Sequence, residues 1–72
     1  MGYDELMDAV KAAILTKYPD VNADHLESIY NNRMMEYQRV LMQYTDADIL
    51  YSVTINMLEN TTSVKVYEAV VE

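Results

Sequence analysis

The chain has 72 residues, which is the length of one small domain. It carries 12 acidic side chains against 5 Lys and Arg, a formal net charge of −7 at pH 7, and it contains no Cys. This composition excludes a disulfide framework and a cysteine-based metal site, and it argues against direct binding to nucleic acid or anionic lipid. The apolar residues recur with helix-like and strand-like periods, so we expect a single folded domain over residues 1–72.

The first predicted element is an amphipathic helix over residues 3–18. Leu6, Val10 and Ile14 recur at helical spacing and form one apolar stripe. Acidic residues come first in this segment and lysines come later, which is the order that the helix dipole favours. Pro19 lacks the backbone N–H that another helical turn requires, so the pattern predicts that the helix ends before it.

A second amphipathic helix is predicted over residues 22–43. Asn22 belongs to the residue types that cap helix N-termini, and apolar residues beside it occupy the positions of a hydrophobic staple. Apolar and tyrosine side chains then recur at helical spacing: Leu26, Ile29, Tyr30, Met34, Tyr37 and Leu41. The pattern leaves open a helix that breaks near Tyr37, with residues 39–44 as a strand.

The C-terminal part is predicted to be a β-hairpin with strands at residues 49–58 and 63–71. Apolar and polar residues alternate in the first of these strands, and β-branched residues are frequent in both. The predicted fold is therefore α+β, with two amphipathic helices followed by a C-terminal β-hairpin.

The predicted hairpin suggests a homodimer. Its second strand has apolar residues on both faces, and a two-stranded sheet has two open edges that invite further pairing. A second copy that completes the sheet, or stacks on its face, would cover these surfaces. The expected interface residues are Tyr51, Val53, Val64, Val66, Tyr67 and Val70.

Four tyrosines, Tyr30, Tyr37, Tyr44 and Tyr51, are spaced by seven residues. On one continuous helix the first three of them would lie on the same side. Tyrosine is enriched at protein interfaces, so such a stripe indicates either a contact surface or a half-buried core with hydroxyl groups in water.

The sequence contains no pattern typical of a catalytic, cofactor or metal site. His25 is the only histidine, and its neighbours Asp24 and Glu27 do not face it on a helix, so it is expected to be an exposed residue of the first turn. Asp20, Asn22 and Asp24 match the start of a calcium-binding loop, but the Gly and Glu that complete this loop are missing. We expect no enzymatic activity, no cofactor and no bound metal.

The acidic residues form three clusters that are candidate partner-binding residues. They are Asp4, Glu5 and Asp8, then Asp20, Asp24 and Glu27, and finally Asp46 and Asp48. Duplex DNA presents one negative charge per ~1.7 Å of its axis, and a homodimer of this chain would carry −14, twice −7. The clusters indicate a surface that competes with DNA for a basic protein, although a net charge of magnitude ~2–8 is also ordinary for a solvated small domain.

In size, acidity, lack of Cys and single-domain organisation, the chain resembles small acidic phage-encoded proteins that inhibit a host factor, including DNA mimics. The resemblance covers no alignable motif and transfers no functional residue. It implies a non-enzymatic protein that binds and inhibits a basic nucleic-acid-binding host protein, for example a nucleoid-associated protein, by mimicking the charge of DNA.

The alternative function is that of a small structural or assembly protein that associates through apolar and tyrosine surface. For both functions we expect no membrane insertion, because the N-terminus is acidic where a signal peptide is basic and no apolar run is long enough to span a bilayer. The expected location is the cytoplasm, which is the host bacterial cytoplasm if the protein is phage-encoded.

Overall fold

The computed structural model describes residues 2–68. Helix α1 spans Tyr3–Lys17 and is followed by a 3₁₀ turn at Ala23–His25. The four strands are β1 at Leu26–Arg33, β2 at Tyr37–Tyr44, β3 at Ile49–Asn56 and β4 at Thr61–Glu68. Each strand pairs antiparallel with the next, in the order β1-β2-β3-β4. The architecture is thus α+β, with one helix packed on one face of a four-stranded meander.

The helix predicted for residues 3–18 is confirmed as α1, which ends one residue earlier at Lys17. The residue before a proline is pushed out of the helical region, and Tyr18 accordingly has φ −130° and ψ 79°. The predicted stripe of Leu6, Val10 and Ile14 is the buried side of the helix, and Met7 is buried beside it. The local sequence pattern was sufficient to locate this helix, because the apolar stripe and the proline that follows it indicate the same segment.

The helix predicted for residues 22–43 is wrong, since this segment forms the 3₁₀ turn, β1 and β2. Asn22 does cap a helical turn, because its Oδ1 accepts a hydrogen bond from the Asp24 N–H at 3.1 Å, but the turn ends at His25. Of the six side chains at helical spacing only Leu26 is buried. Val40 and Met42, two residues apart, enter the core instead, as a strand period requires.

The strands predicted at residues 49–58 and 63–71 correspond to β3 and β4, which pair with Val53 opposite Val64. The prediction of an isolated two-stranded hairpin is wrong, and pairing of its outer strand β4 with a second copy stays a prediction. β2 of the same chain pairs along the whole of β3, from Tyr37 opposite Asn56 to Tyr44 opposite Ile49. The additional strands that a hairpin needs for stability therefore come from the segment that was predicted to be a helix.

The core lies between α1 and one face of the sheet. It consists of Leu6, Met7, Val10, Ile14, Leu26, Val40, Met42, Tyr51 and Val53. Because side chains alternate along a strand, the intervening residues of β2, β3 and β4 point to the other side, which no element between residues 2 and 68 covers. We call this side the open face; its residues are Tyr37, Arg39, Leu41, Gln43, Leu50, Ser52, Thr54, Asn56, Thr61, Ser63, Lys65 and Tyr67.

Both edges of the sheet carry an irregular feature. On β1 the register shifts between Ser28 and Tyr30, which leaves Ile29 as a β-bulge. On β4 the Nζ of Lys17 donates a hydrogen bond to the carbonyl oxygen of Val64 at 2.9 Å.

Candidate interaction surfaces

The fold brings two of the three predicted acidic clusters together at one end of the sheet. Leu26 at the start of β1 pairs with Tyr44 at the end of β2, and the Thr45 N–H donates to the His25 carbonyl at 3.0 Å. The segments that carry Asp20 and Asp24 therefore lie beside the turn that carries Asp46 and Asp48. We call these four residues, Asp20, Asp24, Asp46 and Asp48, the acidic end.

A small hydrogen-bond network fixes Asp46 within the acidic end. The Nδ1 of His25 contacts the Asp46 carboxylate, whose other oxygen accepts a hydrogen bond from the Tyr44 hydroxyl at 3.0 Å. The same hydroxyl accepts from the Asn22 N–H at 3.2 Å. His25 and Asp46 are 21 residues apart, so no local signal in the sequence marks their pairing, and only the neighbouring acids Asp24 and Glu27 could be considered as partners of His25.

The acidic residues predicted for partner binding are all exposed. Asp4 and Asp8 line a cleft of about 500 Å³ between α1 and β1, where Lys11 accompanies them. Glu27 lies opposite Gln43 at the outer strand β1, and Glu5 lies in the first turn of α1. Across residues 2–68 none of these carboxylates is paired with Lys or Arg, and the one contact between an acidic side chain and a nitrogen of a titratable side chain is that of Asp46 with His25.

The opposite end of the sheet carries two further acids in its turns. Glu36 lies between β1 and β2, and Glu59 lies between β3 and β4. The Met57 N–H donates to the Glu36 carbonyl at 2.8 Å and ties the two turns together. These acids are exposed, as are those of the acidic end, which makes them matched controls for experiments on charge.

The residues predicted for a dimer interface have diverse environments. Tyr51 and Val53 are 4% and 0% exposed within the core of a single chain. Val64 and Val66 are half-buried against this core, and Tyr67 is 47% exposed on the open face. Val70 lies outside the described residues. A homodimer remains a prediction, and Tyr67 is the described residue of this set whose side chain is most available for it.

The tyrosines spaced by seven do not form one stripe. Tyr44 and Tyr51 lie on the covered face, where their ring centroids are 6.3 Å apart and Tyr18 stacks at 5.6 Å from Tyr51. Tyr30 and Tyr37 are 44% and 42% exposed. Burial is the main cause that raises the pKa of Tyr51 above its ordinary value of 10.0, with smaller contributions from nearby Tyr44, Tyr18 and Glu68.

The middle of the open face is basic. Arg39 and Lys65 project from β2 and β4 on either side of β3, and Arg39 Nε donates to Ser52 Oγ at 3.1 Å. Ser52 is 4% exposed and is the only buried polar residue between residues 2 and 68. A shallow groove of about 310 Å³ runs over this region and is lined by Met34, Tyr37, Arg39, Ser52, Thr54, Ser63, Lys65 and Tyr67.

No protein-family model matches the chain, and no curated protein or solved structure matches it either. Over residues 2–68, no helix has the length and apolar character needed to cross a membrane. In the same part of the chain, His, Asp and Glu side chains do not come together in a group of three or more that could hold a metal ion.

Proposed function

We propose that this is a non-enzymatic acidic interaction protein that binds the basic surface of a nucleic-acid-binding host protein and inhibits it by taking the place of DNA. The observation that carries the proposal is the acidic end, where the fold joins two acidic clusters with no Lys or Arg paired to them within residues 2–68. Unpaired carboxylates at one site give a negative potential that attracts a basic surface.

Asp46 and the turn that carries it are also held in place, as a mimic of a stiff polyanion requires. Asp46 is oriented by His25 and Tyr44, and its turn is bonded to the start of β1 through Thr45. Less conformational freedom is therefore lost on binding than if the carboxylates lay on a mobile segment. The proposed site of action is the cytoplasm, which is that of the bacterial host if the protein is phage-encoded, without direct contact to nucleic acid or membrane.

The test compares two double variants with equal changes in charge. Asp24→Asn with Asp48→Asn neutralises two carboxylates at the acidic end, and Glu36→Gln with Glu59→Gln neutralises two at the opposite end. Asp46 is kept, because its carboxylate contacts His25 and Tyr44. Each protein is immobilised and used to capture proteins from a bacterial lysate, and the captured proteins are identified by mass spectrometry and assayed for displacement by duplex DNA.

We expect the unchanged protein and the opposite-end variant to capture the same DNA-binding protein, and the acidic-end variant to lose it. The Debye length falls from ~8 Å at 0.15 M salt to ~3 Å at 1 M, so capture should also be lost at high salt. Capture that survives 1 M salt, or equal losses in both double variants, would contradict the proposal.

A second candidate is assembly through apolar and tyrosine surface, including a homodimer. The observation that favours it is the exposure of large apolar side chains, among them Ile29 at 57%, Tyr30 at 44% and Tyr67 at 47%. Association of this kind depends on buried apolar area and should persist at high salt. Light scattering at low and high salt distinguishes the candidates. Assembly that persists at high salt and is lost when Tyr67 is replaced by Ala supports the second candidate. A protein that acts only as an acidic mimic should not show such assembly.

A further inference from the structure

The middle of the open face is basic in a molecule that is acidic as a whole. Its residues on β2, β3 and β4 include no acid and carry Arg39 and Lys65, two of the five Lys and Arg of the chain, whereas Glu27 lies on the same side at the outer strand β1, opposite Gln43. In a protein with a net charge of −7, two basic side chains on one face without an ion-pair partner in the described residues 2–68 form an uncompensated positive region.

The fold brings these two basic side chains toward each other. Lys65 lies directly opposite Ser52 in the β3–β4 register, and Arg39 lies opposite Thr54, the residue two positions along β3. By donating to Ser52 Oγ at 3.1 Å, Arg39 Nε extends the guanidinium group across β3 toward the strand that carries Lys65. Ser52 lies on the strand between β2 and β4, and Arg39 and Lys65 line the same groove beside it.

We propose that this groove binds a small organic oxyanion, a carboxylate or a phosphate carried on an apolar or aromatic body, held between Arg39 and Lys65. The proposal is independent of the acidic end and concerns a second site of opposite charge. An anion placed between two like charges removes their repulsion and gains a charge-assisted hydrogen bond to each.

The donors of the groove suit an oxyanion. The Nε of Arg39 is occupied by Ser52, which leaves the terminal guanidinium nitrogens without a protein partner among residues 2–68. The Ser52 hydroxyl accepts the bond from Arg39, so its own hydrogen is free to donate. Hydroxyl groups of Thr54 and Ser63 line the same groove and add further donors.

The walls of the groove suit the organic body of the ligand. Tyr37 and Met34 lie toward the end with the β1–β2 turn, and Tyr67 lies toward the other end. The tyrosine rings offer apolar faces beside the charged centre. The volume of about 310 Å³ is at the lower limit for ligand pockets, which favours a small molecule over a macromolecule.

The test is a titration of the isotope-labelled full chain, followed by amide NMR at constant ionic strength. The probes are phenyl phosphate, benzoate and inorganic phosphate, with benzylamine as a cation of similar shape. We expect saturable shifts at Arg39, Ser52 and Lys65 with at least one of the first two probes, and the tighter of these identifies the preferred oxyanion. Inorganic phosphate should bind more weakly because it lacks the apolar body.

Matched variants locate the site. Lys65→Gln and Arg39→Gln should each weaken binding of the better probe by about tenfold or more, since a hydrogen bond to a charged group is lost. Lys11→Gln on α1 makes the same change away from the groove and should leave the affinity within about twofold, because exposed charges at a distance are screened by salt. Lys65→Gln removes no hydrogen bond described for the free chain, so its folding is expected to be intact, and amide dispersion checks this.

Several outcomes would overturn the inference. These are the absence of saturation with both organic anions, equal shifts with benzylamine, and equal losses in Lys65→Gln and Lys11→Gln. Inorganic phosphate that binds as well as phenyl phosphate would overturn the assignment of an organic ligand. Capture of a basic protein by the Lys65→Gln variant is measured separately. The proposal for the groove and the proposal for the acidic end can therefore be contradicted independently of each other.

Discussion

Met42 and Gln43 are neighbours in β2, yet Met42 is 1% exposed beneath α1 and Gln43 lies on the open face, where its amide donates to backbone carbonyls. The same contrast recurs along β3, where Val53 is completely buried under the helix and Thr54 faces outward. One face of the sheet thus consists of apolar residues that hold the fold together. The other carries tyrosines, hydroxyls and two cations that no element between residues 2 and 68 covers, and such a face is available for binding.

The largest effect that tests this contrast is expected from Met42→Ala. The substitution leaves a cavity between α1 and the sheet and should lower the free energy of unfolding by about 2–5 kcal/mol, measured by urea denaturation. Thr54→Ala, on the open face of the neighbouring strand, should cost less than about 1 kcal/mol. Similar losses in the two variants would mean that the open face is packed against something in solution.

A smaller effect is expected from Tyr44→Phe. This change removes the hydroxyl that donates to Asp46 and accepts from Asn22, at a cost of about 0.5–1.5 kcal/mol in unfolding free energy. Tyr18→Phe is the control, since no hydrogen bond to its hydroxyl is described. If the two variants are equally stable, the network at the acidic end does not hold Asp46 in place.

The buried position of Tyr51 predicts a loss of stability at alkaline pH. Its pKa is raised in the folded chain, chiefly by burial, so the folded state holds this proton more tightly than the unfolded state does. The stabilising contribution is complete below about pH 10 and is lost as the pH rises from there through the folded pKa. Urea denaturation at about pH 9 and about pH 11 measures the free energy of unfolding. Between these two pH values it should fall less in Tyr51→Phe than in the unchanged protein. Tyr67→Phe on the open face should show the full drop.

The smallest effect is expected on the stability of the free protein from Lys65→Gln. Because it removes one of two neighbouring cations and no described contact, the unfolding free energy should stay within about 0.5 kcal/mol of the original value, with any change in the stabilising direction. Thermal denaturation measures this. A clear destabilisation would show that Lys65 serves the fold, and the contrast between the two faces would then be weaker.

Local patterns were sufficient for α1 and for the β3–β4 hairpin, because a single period explains each segment. They were not sufficient for residues 22–43, where Leu26, Tyr30 and Leu41 fit a helical stripe while Val40 and Met42 fit a strand. Pairing with β3 decides between a helix and strands for this segment. Because β3 lies later in the chain, the sequence of residues 22–43 contains no signal of that pairing. The alternative of a strand from residue 39 was closer to the observed β2 at Tyr37–Tyr44.

The acidic residues could be identified from the sequence, but their arrangement could not. Asp24 and Asp46 become neighbours only because β1 pairs with β2, and the contact of His25 with Asp46 spans 21 residues. The basic centre of the open face was missed for the same reason. Arg39 and Ser52 are 13 residues apart, and the alternation that places them on one face with Lys65 is visible only when all three strands are known.

The irregular edges of the sheet limit how copies of the chain can join. A fibril grows when the edge strand of one sheet pairs with the edge strand of the next, which needs straight edge strands with free carbonyl and amide groups. The bulge at Ile29 disturbs the register of one edge, and at the other the ammonium group of Lys17 occupies the carbonyl of Val64. Edge-to-edge pairing of copies would have to displace the hydrogen bond of Lys17 or accommodate the bulge, so both features work against amyloid-like propagation of strands that are rich in tyrosine and valine.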